Sequence, residues 1–352
     1  MHLIRLRSLS VLTLALSRPM SALSTSNPPS FVTSSVEVLS SNPGIKKLDT
    51  TWFLQPPATA SSFGDSQLLS PCNNFNVPAL ASPNSPPQIV HSPPSGFAIS
   101  SFLAAAGVEP TDEVLLYQQA GGMCMYRASY ILKQYFGHKG VVSLLQSPLD
   151  DLPSTLKTTS TSSSLPLDFA ALASSSSAPS SYPVPSSFVE AYPEAASSSP
   201  SSLPPLLTYP AMAALVASRL ANPSILQDTL ILDARGAARF TGEVEETRPG
   251  TKSGHIPTSK NLPFTEVSAD DKTALKPLAA LRAALESKGA DLSPSSTQSY
   301  VLTCGSGVTA CYLAAALSLC GVQDERISVY DGSWAEWGAR EGAAVEKGAE
   351  RV

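Results

Sequence analysis

The residues best suited to chemistry lie within residues 300–321. There an apolar run leads into Cys304, followed by Gly-Ser-Gly, Thr309 and an Ala/Leu-rich segment that ends at Cys320 and Gly321. The pattern predicts a short buried strand, a tight loop and a helix terminated by a glycine. Cys304 would then lie at the carboxyl end of the strand and face the amino terminus of the helix.

These predicted surroundings make Cys304 a candidate nucleophile. Free backbone amides at a helix amino terminus favour negative charge, so a thiol placed there ionises more readily. Gly305 and Gly307 lack a Cβ, and positive φ angles at both would let the backbone curl around the sulfur. The alternative is a buried structural cysteine beside a flexible loop, since isolated buried cysteines are common. The flanking glycines favour the nucleophile.

Length and composition restrict the classes of function. The 352 residues are enough for two ordinary domains. A net charge of -5 without a basic stripe argues against a nucleic-acid binder. The five cysteines show no paired CxxC or zinc-finger spacing, which argues against a disulfide framework or structural zinc. Free thiols suit a reducing compartment.

The first 27 residues have the composition of a targeting segment. Arg5, Arg7 and Arg18 lie among Leu, Ser and Thr, and no acidic residue precedes Glu37. This resembles a mitochondrial or plastid transit peptide; a secretory signal with an apolar core at residues 9–16 is the alternative. We predict a mitochondrial location over a plastid or cytoplasmic one. The apolar run is too short to span a bilayer, and no membrane partner is expected.

Two segments show the alternation of strand and helix patterns that is typical of α/β domains with a parallel sheet. The first covers residues 31–147, and the second covers residues 208–342 and is followed by a tail at 343–352. The Ser/Pro/Ala tract at 148–207 has almost no charge and is predicted to be a disordered linker without chemistry. Residues 56–94 are dense in Pro, Ser and Asn and offer no clear helix.

The predicted elements place Cys304 at the functional edge of a sheet. In the first segment we predict helices at 32–41, 95–107 and 123–136, and extended chain at 45–52, 113–117 and 141–145. In the second we predict helices at 211–220, 237–240, 278–288 and after 309, and strands at 229–233, before 304 and at 327–330. Open parallel sheets bind ligands at the carboxyl ends of their strands.

Five motifs of the second segment resemble, in order and spacing, the C-terminal domain of a two-domain rhodanese-type sulfurtransferase. They are ILDARGAARF, SGHIP, NLPF, VLTCGSGVTA and VYDGSWAEW. The loop after Cys304 resembles the 3-mercaptopyruvate sulfurtransferase version, because the thiosulfate-specific version carries basic residues where this chain has Gly305 and Ser306. LDTTWFL and VLLYQQ in the first segment resemble the family more weakly. The resemblance implies two tandem rhodanese-like domains, each a parallel sheet flanked by helices, the first degenerate.

The resemblance also implies a persulfide relay that needs no cofactor and no metal. The Cys304 thiolate attacks the sulfur of 3-mercaptopyruvate, pyruvate leaves, and a second thiol such as thioredoxin or glutathione, or cyanide, removes the sulfur. Inward-pointing loop amides would stabilise the thiolate and the persulfide. Ser306 would hydrogen-bond the developing charge or pass a proton to the pyruvate enolate. The other predicted loop contacts to substrate are Gly305, Gly307, Val308 and Thr309.

A keto-acid donor needs a clamp for its carboxylate, and guanidinium groups fit carboxylates geometrically. Arg239 and Arg248 match the two arginines that bind the substrate carboxylate in this family. A solvated surface charge is the alternative for Arg239. Arg235 is a weaker candidate, because an ion pair with a carboxylate of its own loop explains it equally well.

Several other residues near these motifs are interpreted as structural. His255 is expected to stabilise a turn, and Asp233 and Asp331 to orient loops at the same face of the sheet. Cys311 and Cys320 are predicted core positions. A resolving-thiol role for Cys311 is disfavoured, because the helix is expected to point it away from the loop.

The chain also departs from the family pattern. The first domain of the family contributes an Asp and a His to the active-site cleft, and residues 56–94 replace that region here. His91 does not match the motif, and the glycine expected after His-Ile-Pro is Thr258. Slower turnover or an altered substrate preference would follow if those groups assist proton transfer.

Three alternative functions were weighed. Rhodanese-like phosphatases use Cys-x5-Arg, and Ala310 stands where that arginine would grip a phosphate. Thiosulfate remains a second donor, although a neutral loop suits a doubly charged donor less. A non-catalytic binding or regulatory protein would explain the degenerate first segment but not the intact Cys304 loop.

Overall fold

A computed structural model describes residues 31–34, 37–51, 67–69, 73–74, 93, 96–147, 151–152, 157–159, 204–223 and 228–349. The predicted targeting segment, Cys72, His91 and most of the stretches 56–94 and 148–207 lie outside these ranges. Within them, no helix has the length and apolar character needed to cross a membrane.

The first unit is built on a five-stranded parallel sheet in the order β1-β6-β5-β2-β4. Its strands are β1 Val32–Ser34, β2 Lys46–Asp49, β4 Asn73–Asn74, β5 Val114–Tyr117 and β6 Val142–Leu145. Between β2 and β4 in the chain lies β3 Gln67–Leu69, which is not part of this sheet. The helices of this unit are α1 Val38–Ser41, α2 Gly96–Ala105 and α3 Met125–Tyr130, which continues as a π-helix over Ile131–Tyr135. β3 pairs antiparallel with β7 Lys157–Thr159 outside this sheet.

The second unit has a five-stranded parallel sheet in the order β10-β9-β11-β12-β8. Its strands are β8 Leu206–Leu207, β9 Thr229–Asp233, β10 Lys260–Asn261, β11 Ser299–Thr303 and β12 Ile327–Tyr330. Its helices are α4 Tyr209–Ala221, α5 Ala237–Thr241, α6 Leu278–Glu286, α7 Ala310–Leu319 and α8 Ser333–Trp337, with 3-10 turns at Phe264–Glu266 and Asp324–Arg326. Aligned edge to edge, the sheets have the same topology, so that β1, β2, β4, β5 and β6 correspond to β8–β12.

The central strands are apolar along their length because helices cover both faces of each sheet. All four residues of β5 are buried, as are the last four of β11. One hydrophobic cluster includes residues from both sheets and from α3 and α7. The predicted fold class, tandem α/β units with parallel sheets flanked by helices, is confirmed.

Contacts between the two units are specific as well as apolar. The rings of Tyr126 on α3 and Tyr312 on α7 lie 4.4 Å apart, and the Tyr126 hydroxyl donates a hydrogen bond to the Thr273 carbonyl at 3.0 Å. The Tyr130 hydroxyl donates to the carbonyl of Pro205 at 2.6 Å. The first unit therefore packs directly against the helix that follows Cys304.

Two local predictions were wrong. Residues 32–41 were predicted to be helical, but Val32–Ser34 forms β1 beside β6, and the helix covers only Val38–Ser41. The β-branched residues at 32 and 33 favour a strand once a partner strand is available. The tract 148–207 also contains short strands, since Leu206–Leu207 is an edge strand of the second sheet. That sheet begins before residue 208.

Candidate active site

Cys304 follows β11 directly and is 2% exposed. Its Sγ accepts hydrogen bonds from the backbone amides of Ser306 at 3.4 Å and Gly307 at 3.1 Å. The loop turns at Gly307, whose φ of 81° favours glycine, and α7 starts three residues later. The predicted strand, loop and helix are all present. Amide donors converging on sulfur stabilise a thiolate or an anionic persulfide.

Gly305 plays a different part from the predicted one. Its φ is not positive, so the loop does not require glycine there for conformation. Instead, a Cβ at this position would lie 3.4 Å from Arg239 Nη2 and 3.8 Å from Arg248 Nη1. Two guanidinium groups therefore lie beside the residue that follows Cys304.

The two clamp arginines differ in how they are held. Arg239 binds Glu246 through two contacts, Nε to Oε1 at 3.2 Å and Nη2 to Oε2 at 2.5 Å, and its side chain is 34% exposed. Arg248 is half-buried, and no described residue forms an ion pair with it. Arg248 is therefore the guanidinium more available to an incoming anion.

Arg235 has no such availability. Its guanidinium binds both carboxylate oxygens of Asp233, Glu246 Oε1 at 2.8 Å and the Gly254 carbonyl at 2.8 Å. It also stacks 4.4 Å above the Trp334 ring. All of these groups are buried, so Arg235 stabilises the site from behind rather than binding substrate, which supports the ion-pair alternative.

A strained turn supports the backbone of Cys304. Ser333 has a φ of 48°, an unusual value for a residue other than glycine, and is fully buried. Its Oγ donates to the Tyr330 carbonyl at 2.8 Å and accepts from the Cys304 amide at 3.2 Å. The Trp334 amide donates to the Cys304 carbonyl at 3.0 Å. Sequence analysis missed Ser333, because a positive φ at serine has no clear sequence signal.

A side chain from the first unit also reaches this loop. Arg127 on α3 has a fully buried side chain, and its Nη2 lies 2.5 Å from Asp331 Oδ1. A Cβ added to Gly307 would lie 3.5 Å from Arg127 Nη1. The guanidinium thus lies behind the Cys304 loop. Sequence analysis also missed Arg127.

Cys311 does not point away from the loop as predicted. Its thiol donates to the Gly307 carbonyl at 3.4 Å, because helical side chains lean back toward the preceding turn. Burial raises the pKa of Cys311 to about 12, and the nearby Arg127 guanidinium opposes this shift. Cys311 is therefore protonated at neutral pH. Cys124 and Cys320 are likewise buried free thiols.

His255 has the contacts of a structural residue. Its ring stacks on Phe240 at 3.8 Å, and Nδ1 lies 2.9 Å from the Phe240 carbonyl oxygen. Burial lowers the pKa of His255, so the ring is neutral at pH 7. Thr258, three residues on, has a φ of 66°, and its Oγ1 accepts a hydrogen bond from Arg219 Nε at 2.9 Å.

The remaining predicted loop residues complete the surroundings of Cys304. Val308 is buried against Met123 and Cys124 of the first unit, and Phe264 packs on the same cluster. Thr309 caps α7, but its side chain makes no capping hydrogen bond. Ser306 is half-buried beside the sulfur. Within the described ranges, no group of three or more His, Cys, Asp or Glu could hold a metal ion.

Comparison with known families identifies the second unit. Residues 213–340 match the family model of the rhodanese-like domain. The second unit is similar to that domain over most of its length. The matched residues include Cys304, Arg239, Arg248 and the Ser333 turn.

Curated relatives match about a third of the chain. A probable 3-mercaptopyruvate sulfurtransferase from Schizosaccharomyces pombe is 51% identical over 31% of this chain and 35% of its own length. The 3-mercaptopyruvate sulfurtransferase of Escherichia coli is 42% identical over 33% of this chain and 38% of its own length. A thiosulfate sulfurtransferase from Cricetulus griseus is 43% identical over 30% of this chain and 34% of its own length. The matched region thus spans about a third of these relatives.

Solved structures extend the likeness to both units at the level of the fold. The Tum1 protein of Saccharomyces cerevisiae superposes with a TM-score of 0.67 at 23% identity, covering 90% of this chain and 99% of that one. SseA of Escherichia coli, a 3-mercaptopyruvate sulfurtransferase, gives a TM-score of 0.58 at 22% identity, covering 86% and 99%. Over both units, the chain therefore has the fold of these two-domain structures.

Proposed function

We propose that the protein is a sulfurtransferase that moves sulfane sulfur from 3-mercaptopyruvate through a Cys304 persulfide to a thiol acceptor and releases pyruvate. One observation carries this proposal: the guanidinium groups of Arg239 and Arg248 lie beside Gly305, directly after a cysteine whose sulfur accepts two amide hydrogen bonds. A donor with a carboxylate and a transferable sulfur a few bonds apart fits this spacing. Relatives named 3-mercaptopyruvate sulfurtransferase support it.

The reaction balances without an external oxidant or reductant. The Cys304 thiolate attacks the donor sulfur, a sulfur–sulfur bond forms, and the carbon–sulfur bond breaks. The electron pair of the carbon–sulfur bond stays on carbon and gives the enolate of pyruvate. The enolate then takes a proton from the Ser306 hydroxyl or from water. The amides of Ser306 and Gly307 stabilise the persulfide anion. Attack by an acceptor thiolate on the outer sulfur regenerates Cys304.

The absence of a side chain at Gly305 favours a keto acid over thiosulfate. A basic side chain there would begin within 4 Å of both guanidinium groups and would occupy the space for the carboxylate. Its charge would also repel the two arginines. Thiosulfate is the second candidate donor, because a relative named thiosulfate sulfurtransferase is 43% identical over 30% of this chain.

The proposal also includes the acceptor of the sulfur and the location of the protein in the cell. Thioredoxin and glutathione are the candidate acceptors because each offers a thiolate, and cyanide serves as a test acceptor. The arginine-containing segment at residues 1–27, together with a relative named as mitochondrial, supports a mitochondrial location. Fractionation of cells that express the full chain tests it, and recovery of the protein in the cytosol alone would contradict it.

The decisive experiment is intact-protein mass spectrometry after exposure to 3-mercaptopyruvate or to thiosulfate. We expect one added sulfur on Cys304 and stoichiometric pyruvate with 3-mercaptopyruvate, and less labelling with thiosulfate. Cys304→Ser should abolish both signals, whereas Cys320→Ala, a matched control in the same domain, should retain them. If the wild-type protein gains no sulfur from either donor, the non-catalytic alternative replaces this proposal.

Arg248 provides a test of the clamp. Arg248→Ala should raise KM for 3-mercaptopyruvate about 10–100-fold, since a charge-assisted hydrogen bond contributes about 1.5–3 kcal/mol. Arg248→Lys keeps the charge but loses the forked geometry of the guanidinium, so its KM should lie between those of wild type and Arg248→Ala. Arg282→Ala on α6 is the matched control. A KM equal to that of wild type in Arg248→Ala would remove this residue from the clamp.

A further inference from the structure

We propose that Arg127 of the first unit is a positioning residue for the Cys304 loop, acting through its ion pair with Asp331. This inference rests on the proposed function of Cys304, because it concerns the reactivity of that thiol. The first unit would then support the Cys304 loop of the second unit. Arg127 does not contact the reacting atoms in this arrangement; it holds the elements that do.

The ion pair between Arg127 and Asp331 is largely buried. The Arg127 side chain is fully buried and that of Asp331 is 15% exposed. A charge removed from water is retained only where its partner is well placed, and breaking such a pair leaves an uncompensated buried charge. The 2.5 Å contact therefore ties α3 of one unit to the end of β12 in the other.

Asp331 is connected to Cys304 through two neighbouring residues, Ser333 and Gly307. Asp331 begins the turn that places Ser333, whose Oγ accepts from the Cys304 amide at 3.2 Å. A Cβ on Gly307 would lie 3.0 Å from the Asp331 carbonyl oxygen and 3.5 Å from Arg127 Nη1. Gly307 is also the residue whose amide donates to Cys304 Sγ at 3.1 Å. Displacement of the ion pair would thus move both supports of Cys304.

Positive and negative side chains surround the Cys304 loop. The charged and titratable groups that face it come from several elements: Arg127 on α3, Arg239 on α5, Glu246 and Arg248 after α5, Cys311 on α7 and Asp331 after β12. Glu246 is paired with Arg239, and Cys311 is protonated at neutral pH. Removing one member of the Arg127–Asp331 pair therefore leaves one unbalanced charge behind the loop.

This balance predicts shifts of opposite sign. Arg127→Met leaves the Asp331 carboxylate, which disfavours a thiolate at Cys304, whereas Asp331→Asn leaves the Arg127 guanidinium, which favours it. The readout is the rate of Cys304 alkylation by iodoacetamide against pH, followed at the Cys304 peptide by mass spectrometry. We expect the midpoint to rise by about one pH unit in Arg127→Met and to fall by a similar amount in Asp331→Asn.

Two further variants separate charge from geometry. The double variant Arg127→Met/Asp331→Asn should have an alkylation midpoint close to that of wild type, because both charges are removed. Its rate of persulfide formation should be about tenfold lower than that of wild type, because the ion pair no longer holds the turn. Arg127→Lys should restore much of the wild-type midpoint. Arg219→Met is the control: it removes a different buried arginine, which lies in the second unit, and should leave the alkylation profile unchanged.

The outcomes distinguish this inference from the proposed function. Midpoints in Arg127→Met and Asp331→Asn that equal wild type, or that move in the same direction, would overturn it. If Arg127→Met does not fold, Asp331→Asn alone decides: a lowered midpoint supports the inference and an unchanged one overturns it. A wild-type protein that shows the alkylation profile but gains no sulfur from any donor would refute the proposed function and leave this readout intact.

Discussion

The two units share one sheet topology and differ at the carboxyl ends of their strands. Asp49 ends β2 and Asp233 ends β9, the corresponding strand. In each case the carboxylate accepts the backbone amide two residues later at 2.9 Å, from Thr51 in the first unit and Arg235 in the second. The same local turn is therefore kept in both units.

The side chain that follows decides what this turn does. Arg235 neutralises Asp233 and continues to Glu246, and so begins the arginine network that leads to Arg239. Thr51 offers Asp49 hydrogen bonds without a charge. Burial raises the pKa of Asp49 to about 6, and the bonds from Thr51 oppose the shift. In the second unit the aspartate is therefore held by an arginine, whereas in the first unit it is held by Thr51.

The loops after the corresponding strands β5 and β11 differ in the same way. Gln118 directly follows β5, as Cys304 follows β11. The buried Gln118 amide donates to the Lys272 carbonyl at 2.9 Å, and its oxygen accepts from the Met125 amide at 3.0 Å. The first unit uses this position to bind its neighbour. The corresponding positions of the two units therefore have different contacts.

The same substitution at the two corresponding aspartates tests this comparison most strongly. Asp233→Asn should destabilise the protein by about 3 kcal/mol, because it leaves the buried Arg235 charge undercompensated. Urea unfolding followed by near-ultraviolet circular dichroism measures the change. A loss no larger than that of an exposed-site substitution would show that Glu246 alone is sufficient for Arg235.

Asp49→Asn should have the opposite sign at neutral pH. A folded-state pKa of about 6, raised from 3.8, means that the contribution of Asp49 to stability is fully present below pH 4 and is lost as pH rises through 6. The variant should therefore gain about 3 kcal/mol at pH 7.5 and almost nothing at pH 4. Equal changes in unfolding midpoint at both pH values would contradict the assigned cause.

Gln118→Met tests the supporting role of the first loop at nearly constant volume. The buried Met125 amide loses its acceptor, whereas the Lys272 carbonyl keeps a donor in the Tyr312 hydroxyl at 2.7 Å. We expect a loss of about 1–2 kcal/mol in stability and little change in persulfide formation. A fall in persulfide formation larger than the fall in stability would place this loop in the chemistry.

The smallest effect is expected at Thr258 in the second unit. Thr258→Ser keeps the Oγ that accepts from Arg219 and removes the β-branch at a φ of 66°, so it should stabilise by about 0.5 kcal/mol. Thr258→Gly relieves more strain but leaves the buried Arg219 Nε without this acceptor, and should destabilise by about 1 kcal/mol. Thermal unfolding of the matched pair measures both, and equal shifts would remove the hydroxyl from the explanation.

Sequence reasoning succeeded where the deciding contacts are local. The strand before Cys304, the amide-lined turn and α7 follow one another along the chain, and the structure has each of them. It failed for Val32–Ser34, where pairing with β6, more than a hundred residues away, decides the strand. It failed again for Cys311, where the direction of a helical side chain mattered more than the apolar pattern.

By itself, the sequence determined the loop after Cys304 and made Cys304, Arg239 and Arg248 the candidate site residues, because residue type and short spacing define each of them. Only the tertiary structure decided that Gly305 leaves room beside the arginines and that a strained Ser333 holds Cys304 from behind. It also joined Arg127 to Asp331 across 204 positions of the chain. Such a pair depends on how two units pack, and no local pattern encodes that packing.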